Sequence, residues 1–303
     1  MMPLAMTLRD QELGPVTVLF GEDDGKYPDG NSLLVRGAEE TLIIDPALGV
    51  RQRKSLPAVD RLLNSHCHED HIAGNSLFRD VPCHLHEADL PGLQSFEGFM
   101  AIFGYDDSFG SVWGELVVER FHYEPRPDAQ PFTDGAVFDL GGGVRVHVIH
   151  TPGHTRGHCA FLVEPEGVLY LGDIDLSSFG PYYGDAWSNL EDFERTLTRV
   201  REIDARWYAT FHHIGVLDGR EPFLERLDRF AAAIPRREAR LLEFLSEPRT
   251  LGEVAAHRCV YRPGDDVPHA EPVERRSMAQ HIARLTRDGR VVEVEPGRYL
   301  ASA

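Results

Sequence analysis

The sequence predicts an α+β protein with a large layered domain and a small C-terminal domain, and three observations support this prediction. Short β-rich runs alternate with turn residues over the first half of the chain, which is typical of a sheet-based core. An amphipathic helix and a further strand follow, so sheets and helices are expected to pack in layers. Near residue 235 the composition changes, and the helical pattern that begins there ends in a hairpin.

The size and composition are those of an ordinary globular protein. The chain has 303 residues, of which 42% are hydrophobic and 26% charged, and these values exclude a mainly disordered or fibrous protein. No stretch approaches the roughly 18 uninterrupted apolar residues of a membrane helix, and the first residues lack the basic region of a signal peptide. Four cysteines form no CxxC pair, which favours a reducing, cytoplasmic setting.

The negative charge lies almost entirely in the first 234 residues. The whole chain carries a net charge of −18, whereas residues 235–303 contain 12 arginines and 11 acidic residues. An acidic body repels polyphosphates. We therefore expect no nucleic-acid partner, and no membrane partner either.

Seven β-rich runs are predicted to be strands of the layered domain: residues 31–35, 41–44, 61–63, 144–149, 160–163, 168–171 and 207–210. The clearest helix of this domain follows Ser188, which can form a capping box with Glu191 three residues later. Its apolar positions recur at helical spacing and are Leu190, Phe193, Leu197, Val200 and Ile203.

Residues 88–135 are predicted to be an insertion, because this long excursion is rich in glycine and aromatic residues. Two interpretations are open. The segment is either a helical subdomain that buries its own aromatic side chains, or a flap over a pocket.

The C-terminal segment has the element order of a winged helix. A helix at 236–245 precedes a second capping box, Thr250 with Glu253, and a short helix after it. A third helix covers 273–287, with Gly289 at its end, and the strands 291–295 and 298–300 form a hairpin. The predicted domains are therefore residues 1–234, which contain the insertion, and a winged-helix-like domain at 235–303, with a role in dimerisation or in closing the pocket.

The most informative motif is the run from Asn64 to Gly74, which contains His66, His68, Asp70 and His71 in the pattern HxHxDH. Residues i and i+2 of an extended segment point to the same side, so the first two histidines converge. Asp70 and His71 follow where the chain turns into a helix and can face a second nearby point. Such a cluster of imidazoles and carboxylate predicts a metal site.

Further candidate ligands follow other β-rich runs. His154 comes after the run 144–149, Asp173 after 168–171, and His212 at the end of 207–210. Strands that end at one edge of a sheet would bring these side chains to a single site.

Together these motifs resemble the metallo-β-lactamase-fold hydrolase superfamily over residues 15–220. The matching segments are His66 to His71, Thr151-Pro-Gly-His154, Leu171-Gly-Asp173 and Phe211-His212, and Ile43-Ile-Asp45-Pro matches an early strand-Asp that supports the metal loop. The resemblance implies a four-layer αββα sandwich with the metals at one edge of the sheets. β-Lactamases of the superfamily depart from the pattern at His71 and Asp173, so the match favours another hydrolase with two metal ions.

The resemblance also implies a role for each ligand. Three histidines would hold one metal ion, namely His66, His68 and His154. Asp70, His71 and His212 would hold the other, and Asp173 would bridge the two. His213 competes with His212 for the last position; His212 is preferred because it lies eight residues after Asp204, the spacing found in the family.

The expected cofactor is a pair of divalent metal ions, with zinc placed first and manganese or iron as alternatives. A metal-bridging hydroxide would attack the substrate, and Asp70 would orient it or accept its proton. Tyr182 and Tyr183 lie soon after Asp173 and are candidates to donate a hydrogen bond to the developing oxyanion, with packed loop aromatics as the alternative interpretation.

The predicted function is hydrolysis of an ester, thioester or lactone of a small, partly apolar molecule. Three alternatives remain at this point: a phosphodiesterase or ribonuclease on the same metal site, an iron-dependent oxygenase of thiol substrates, and a metal-sensing regulator that binds DNA. A homodimer is also considered.

Overall fold

The strands of the first half of the chain form one seven-stranded sheet in the computed structural model, which describes residues 9–302. Neighbours are antiparallel from the first strand to the fourth and parallel from the fourth to the seventh. The strands follow sequence order and are β1 (Asp10–Leu13), β2 (Val16–Leu19), β3 (Ser32–Arg36), β4 (Thr41–Ile44), β5 (Arg61–Leu63), β6 (Cys83–His86) and β7 (Gln130–Phe132).

A second sheet of six strands is built from the following segment. It contains β8 (Val137–Asp139), β9 (Arg145–His150), β10 (Cys159–Glu164), β11 (Val168–Tyr170), β12 (Trp207–Ala209) and β13 (Val216–Asp218), also in sequence order. Only the pair β11 and β12 is parallel in this sheet, so these two strands end at the same edge.

Side-chain alternation along the strands builds the layers. In β3, Leu33 and Val35 belong to the core between the sheets, whereas Leu34 faces the opposite core. In β11, Tyr170 joins the core between the sheets and Leu169 joins the outer core on the other side. A strand buried on both faces needs apolar residues at every position, which explains the continuous apolar runs of the sequence.

Helices cover the outer faces of both sheets. The first sheet packs against the predicted insertion, which contains three helices and contributes buried aromatic residues to that outer core. The helices up to residue 231 are α1 (Leu48–Arg51), α2 (Leu90–Gln94), α3 (Phe96–Phe103), α4 (Asp107–Arg120), α5 (Leu190–Arg201) and α6 (Arg220–Ala231). Short 3-10 helices lie at Glu22–Asp24 and Asn75–Phe78, the second of them just after the HxHxDH segment.

The C-terminal segment has three helices, α7 (Ala233–Phe244), α8 (Leu251–His257) and α9 (Ala270–Arg287). Its strands β14 (Arg249–Thr250), β15 (Val291–Glu295) and β16 (Arg298–Ala301) form a sheet in the order β14-β16-β15. The capping box of Thr250 and Glu253 is present at the start of α8, as predicted. None of the helices within residues 9–302 has the length and apolar character that crossing a bilayer requires.

The predicted capping box at Ser188 is wrong. Asn189 is the N-cap of α5, and its side chain accepts a hydrogen bond from the Asp192 amide. The hydroxyl of Ser188 donates instead to the backbone oxygen of His154, 2.6 Å away. A tertiary contact near the candidate metal ligands therefore takes the hydroxyl that the local pattern assigned to the helix.

Polar contacts from α9 join the C-terminal segment to the layered domain. The Tyr183 hydroxyl lies 2.9 Å from His281 Nε2, and Gln280 contacts the Tyr183 carbonyl and the Leu190 amide. Arg284 pairs with Glu194 of α5 and with Glu238 of α7. The helix that would read DNA in a winged helix is thus engaged with the rest of the chain.

Stability is expected to depend on Glu238 in mild acid. A hydrogen bond from His281, together with Arg284 and Arg290, lowers the pKa of Glu238 from 4.5 to about 2. Its stabilising effect is therefore complete above pH 4.5 and is lost as the pH falls toward 2. Glu238→Gln should lower the free energy of unfolding at pH 7 by roughly 1–2 kcal/mol, after allowance for solvent screening, and by less at pH 3.

Urea unfolding of the wild type and of Glu238→Gln at both pH values measures this difference. Glu225→Gln is the matched control, because Glu225 forms an exposed pair with Arg229 on α6. An equal difference at pH 7 and pH 3 would contradict the expected ion-pair contribution.

Candidate metal centre

The loop after β5 carries the HxHxDH motif and is held by the buried carboxylate of Asp45 at the end of β4. Asp45 accepts hydrogen bonds from the Ser65 amide (2.7 Å) and hydroxyl (2.6 Å). Its Oδ2 also lies 2.8 Å from His71 Nδ1 and accepts from the Tyr170 hydroxyl at 2.9 Å. This carboxylate joins the loop to both sheets and sets the orientation of the His71 ring.

The other candidate ligands reach the same edge from the second sheet. His154 follows β9, and Asp173 and His212 follow the parallel strands β11 and β12. The structure brings together all seven residues that the sequence predicts as ligands, in two groups whose ligand atoms lie within 4.8 Å of one another: His66, His68, His154 and Asp173, and Asp70, His71 and His212.

Three imidazole nitrogens converge in the first group. His68 Nδ1 lies 3.0 Å from His66 Nε2 and 2.8 Å from His154 Nε2, and the last two atoms are 3.2 Å apart. The first two histidines converge as the i, i+2 spacing predicts. His154 is fixed by its Nδ1, which donates to the Tyr182 carbonyl at 3.0 Å.

Asp173 lies between the two groups and presents one oxygen to each. Its Oδ2 is 3.1 Å from His154 Nε2 and 4.0 Å from His66 Nε2. Its Oδ1 is 2.9 Å from His71 Nε2 and 3.7 Å from His212 Nε2. Asp70 Oδ2 completes the second group at 3.0 Å from His212 Nε2.

The charges of the centre are strongly coupled. Burial disfavours an ionised Asp173, but the imidazoles of His71, His154 and His212 hold its pKa well below the usual value. Burial opposes a charged His212 as well, yet Asp173 and Asp70 raise its pKa to about 9. By contrast, burial together with the neighbouring imidazoles lowers the pKa of His66 well below 6.5.

The structure separates the two histidines that competed for the last position. His212 is buried and donates from Nδ1 to the Gly25 carbonyl at 2.8 Å, so its Nε2 faces the other ligands. His213 is exposed, has a left-handed backbone (φ 60°), and is not part of either ligand group.

The two tyrosines point to different places. Tyr182 lines the cavity above the metal-ligand groups and donates to Asp185 Oδ1 at 3.1 Å. Tyr183 is buried, and its hydroxyl contacts His281 of α9. The prediction of an oxyanion donor at Tyr183 is therefore corrected, because the adjacent residues of this loop point in opposite directions.

A cavity of about 510 Å³ lies over the two groups, and we call it the active-site cavity. The insertion contributes aromatic residues to its wall, namely Phe103, Tyr105 and Trp113. A C-terminal loop contributes Tyr261 and the segment from Asp266 to His269. Both parts of the chain whose role was open in the sequence therefore border the site.

Comparison with known proteins decides the family. Residues 27–213 match the Metallo-beta-lactamase superfamily, and this range includes every candidate ligand. The chain belongs to that superfamily. It is a hydrolase of this class, and the sequence-based recognition of the superfamily is confirmed.

Two relatives of this superfamily protein are fungal thioesterases by name. An atrochrysone carboxyl ACP thioesterase of Aspergillus fumigatus is 25% identical over 253 residues, which are 78% of this chain and 68% of the relative. A second one, from Aspergillus novofumigatus, is 26% identical over 55% of this chain. The chain spans about half of that second relative, 46% of its length.

Among solved structures, a metallo-beta-lactamase family protein from Thermus thermophilus is similar with a TM-score of 0.69 and 24% identity. The match covers 95% of this chain and 99% of that protein. At this level of identity the likeness shows the fold alone, and here it extends into the C-terminal segment.

Superfamily membership implies divalent metal ions, and the donor set fits them. The Nδ1 atoms of His154 and His212 donate to carbonyls and that of His71 faces Asp45, so each ring directs its Nε2 to the site, where the neutral imidazole would offer a lone pair to a cation. Nitrogens that converge on one another and on a carboxylate at about 3 Å need positive charge between them, which protons on the imidazoles supply in this structure and a metal ion would supply when bound. Imidazole and carboxylate ligands suit zinc, manganese or iron.

Two carboxylates of the site escaped the sequence analysis. Glu69 lies between two ligands and bonds to the Tyr27 hydroxyl at 3.0 Å; burial and the neighbouring Asp70 raise its pKa to about 8. Asp185 Oδ2 lies 3.1 Å from His68 Nε2, without the alignment of a hydrogen bond. The only signal for Asp185 was its place in the tyrosine-rich loop, two residues after Tyr183.

Proposed function

We propose that this protein is a dinuclear metal-dependent hydrolase that cleaves the thioester of a small acyl substrate. The observation that carries the proposal is the pair of ligand groups that share Asp173 at the base of a cavity with aromatic walls. The proposed ligands are those of the sequence analysis, with His66, His68 and His154 on one ion, Asp70, His71 and His212 on the other, and Asp173 on both.

A pair of divalent ions bound there would supply a hydroxide at neutral pH and polarise the substrate carbonyl. The protein side chains orient the reactants around them. Asp70 lines the cavity and is held by His212, so we propose that it orients the attacking water and accepts its proton. The carboxylate of Asp173 stays ionised because three imidazoles surround it.

Tyr182 is the proposed hydrogen-bond donor to the developing oxyanion. Burial and the Asp185 carboxylate raise the pKa of Tyr182 well above its usual value, so its hydroxyl keeps its proton. The hydroxyl donates to Asp185 in this structure. Because Tyr182 lines the cavity, a bound substrate's oxygen would be placed to accept this hydrogen bond in place of Asp185.

The walls favour an acyl group over a polyanion. Phe103, Tyr105 and Trp113 form an apolar side, and the carboxylates of Glu69, Asp175 and Asp185 lie on the polar side. The charges of Asp175 and Asp185 disfavour a nucleic-acid backbone at neutral pH, whereas Glu69, with its raised pKa, contributes less. Among ester-like substrates, the thioester is preferred here because the fungal relatives carry the name ACP thioesterase.

The C-terminal segment is proposed to be a winged-helix-like domain at residues 235–303 that closes the active-site cavity. Its order of three helices and a small sheet supports this assignment, although α7 begins two residues before the proposed boundary, at Ala233. The contacts of α9 with Tyr183 and Glu194 argue against a DNA-binding regulator. A homodimer remains a prediction, and the four buried free cysteines support a cytoplasmic location.

The proposed function is tested by a substrate panel on metal-reconstituted protein. Butyryl thioesters, aryl esters, lactones and bis-aryl phosphates are compared by kcat/KM, and the bound metal is identified by elemental analysis. We expect the thioester to be the best substrate and two metal ions per chain. Faster phosphodiester cleavage, or oxygen consumption with a thiol and iron, would replace thioester hydrolysis by one of the alternative functions.

Trp113→Ala is expected to raise KM for thioesters with a large apolar acyl group by about tenfold, because one pocket contact contributes roughly 1–3 kcal/mol. The kcat for acetyl thioesters should change little, since Trp113 lies in the wall and is not a candidate ligand. Trp113→Phe should give an intermediate effect. Steady-state kinetics over a series of acyl lengths measures both constants.

The matched control is Val112→Ala on the same helix, because Val112 is 61% exposed and does not line the cavity. An unchanged dependence on acyl length in Trp113→Ala would exclude this wall as the acyl site. Thermal denaturation of each variant separates a loss of fold from a loss of binding.

A further inference from the structure

A second cavity, of about 350 Å³, lies beside the active-site cavity and is lined by four arginines. We call it the arginine pocket. Its arginines are Arg236, Arg237 and Arg240 of α7 and Arg262 of the loop between α8 and α9. Phe179 and Tyr261 line both cavities, so the arginine pocket begins where the active-site cavity ends.

No ion pair among residues 9–302 neutralises the arginines of this pocket. Most arginines of residues 9–302 pair with a carboxylate, as Arg284 and Arg290 do, whereas none of the four pocket arginines forms such an ion pair in that range. Asp265 is the acidic residue of the lining, and its Oδ2 accepts the backbone amide of Arg262 at 3.1 Å. In a chain with a net charge of −18, four unpaired arginines in one cavity indicate an anionic ligand.

Two of the arginines are held in place by backbone carbonyls. Arg237 is buried and donates to the Pro181 carbonyl and, at 2.8 Å, to the Phe179 carbonyl, with the Phe179 ring 5.1 Å from its guanidinium carbon. Arg240 donates to Cys259 O at 3.1 Å and Arg258 O at 3.2 Å. Neutral carbonyls fix these side chains but leave their charge available.

The guanidinium groups of the other two arginines lack a partner among the described residues. The side chains of Arg236 and Arg262 are exposed and have no hydrogen-bond or ion-pair partner within the described chain. Two fixed arginines and two without partners line one cavity that a tetrahedral anion can enter. Guanidinium groups pair with phosphate through two parallel hydrogen bonds.

We propose that the arginine pocket binds the phosphate of the thiol carrier of the substrate. The inference rests on the proposed function: the acyl thioester would occupy the active-site cavity, and the pantetheine arm would pass Phe179 and Tyr261 to place its 4′-phosphate among the arginines. The shared chemistry is a phosphopantetheine thioester, whether it is carried by coenzyme A or by an acyl carrier protein.

The test compares butyryl-S-pantetheine with butyryl-S-4′-phosphopantetheine on the metal-loaded protein. We expect kcat/KM to be about tenfold or more higher for the phosphorylated substrate, because only this substrate forms charge-assisted hydrogen bonds with the arginines. The double variant Arg236→Gln/Arg262→Gln should lose this preference while its kcat/KM for butyryl-S-pantetheine stays unchanged. In the wild type, added salt should reduce the preference.

The control variant Arg195→Gln/Arg229→Gln removes the same charge from α5 and α6, where both side chains are exposed and outside the pocket. It should keep the preference for phosphate. Butyryl-coenzyme A and a butyryl acyl carrier protein are two further substrates in this comparison. The substrate with the higher kcat/KM identifies the natural carrier.

Calorimetric binding of 4′-phosphopantetheine itself separates this inference from the proposed function. If the wild type binds 4′-phosphopantetheine and the Arg236/Arg262 variant does not, the arginine pocket is supported. This holds even if no thioester is hydrolysed, and that absence of hydrolysis would overturn only the thioesterase function. The phosphate site would be overturned if the Arg236/Arg262 variant and the Arg195/Arg229 control hydrolyse butyryl-S-4′-phosphopantetheine with equal kcat/KM and bind 4′-phosphopantetheine equally. The proposed thioesterase function would still stand in that case.

Discussion

Asp173→Ala is expected to abolish hydrolysis, with a fall in kcat/KM of about 1000-fold or more. Asp173 is the side chain with an oxygen near each ligand group, at 3.1 Å from His154 and 2.9 Å from His71. A metal pair contributes several kcal/mol of transition-state stabilisation, and each 1.36 kcal/mol corresponds to a factor of about ten in rate. The metal content, measured by elemental analysis, should fall below two ions per chain.

The fold should survive this change, because Asp173 lies at the cavity and outside the hydrophobic cores. Circular dichroism and the thermal midpoint of the metal-free forms test this point. His68→Ala should give the same loss of activity, since His68 Nδ1 faces two other ligand nitrogens. Asp204→Ala is the matched control, because the side chain of Asp204 is 86% exposed. Full activity in Asp173→Ala would contradict the ligand assignment.

Asp45→Ala is expected to have the largest effect on stability, with a loss of roughly 3–5 kcal/mol. Asp45 is fully buried and accepts hydrogen bonds from Ser65, His71 and Tyr170. Without the carboxylate, these buried donors lose their acceptor, and the His71 ring loses the contact that orients it. Metal affinity should fall about 10- to 100-fold, as it does when a residue that supports a ligand is removed.

Urea unfolding and metal titration measure the two effects of Asp45→Ala. Tyr170→Phe is the graded control, because it removes one donor to Asp45 and leaves the carboxylate in place; its cost should be about 1 kcal/mol. The stability of Asp45→Asn should be closer to that of Asp45→Ala than to that of the wild type. The amide nitrogen replaces one carboxylate oxygen and cannot accept the hydrogen bonds that this oxygen accepts in the wild type. A wild-type unfolding midpoint in Asp45→Ala would exclude this carboxylate as the support of the loop.

Local pattern was enough to predict much of the fold. The strands at Thr41–Ile44 and Arg61–Leu63 have the predicted bounds, and the other predicted strands agree within one or two residues. The elements that were not predicted include strands β1, β2, β7, β8, β13 and β14 and helices α1 and α6. The N-cap of α5 was displaced by one residue, because Ser188 bonds to His154 across the fold.

The sequence by itself determined the superfamily, the candidate metal-ligand residues and the order in which strands deliver them, because these depend on short motifs and on the period of apolar residues. Only the tertiary structure decided that His212 and not His213 joins a candidate ligand group, that Tyr183 points to α9, and that Asp185 lies beside His68. It also placed Phe179 and Tyr261 between the active-site cavity and the arginine pocket. The physical reason is that a side chain's direction at a loop depends on contacts with segments far away in sequence, which no local pattern encodes.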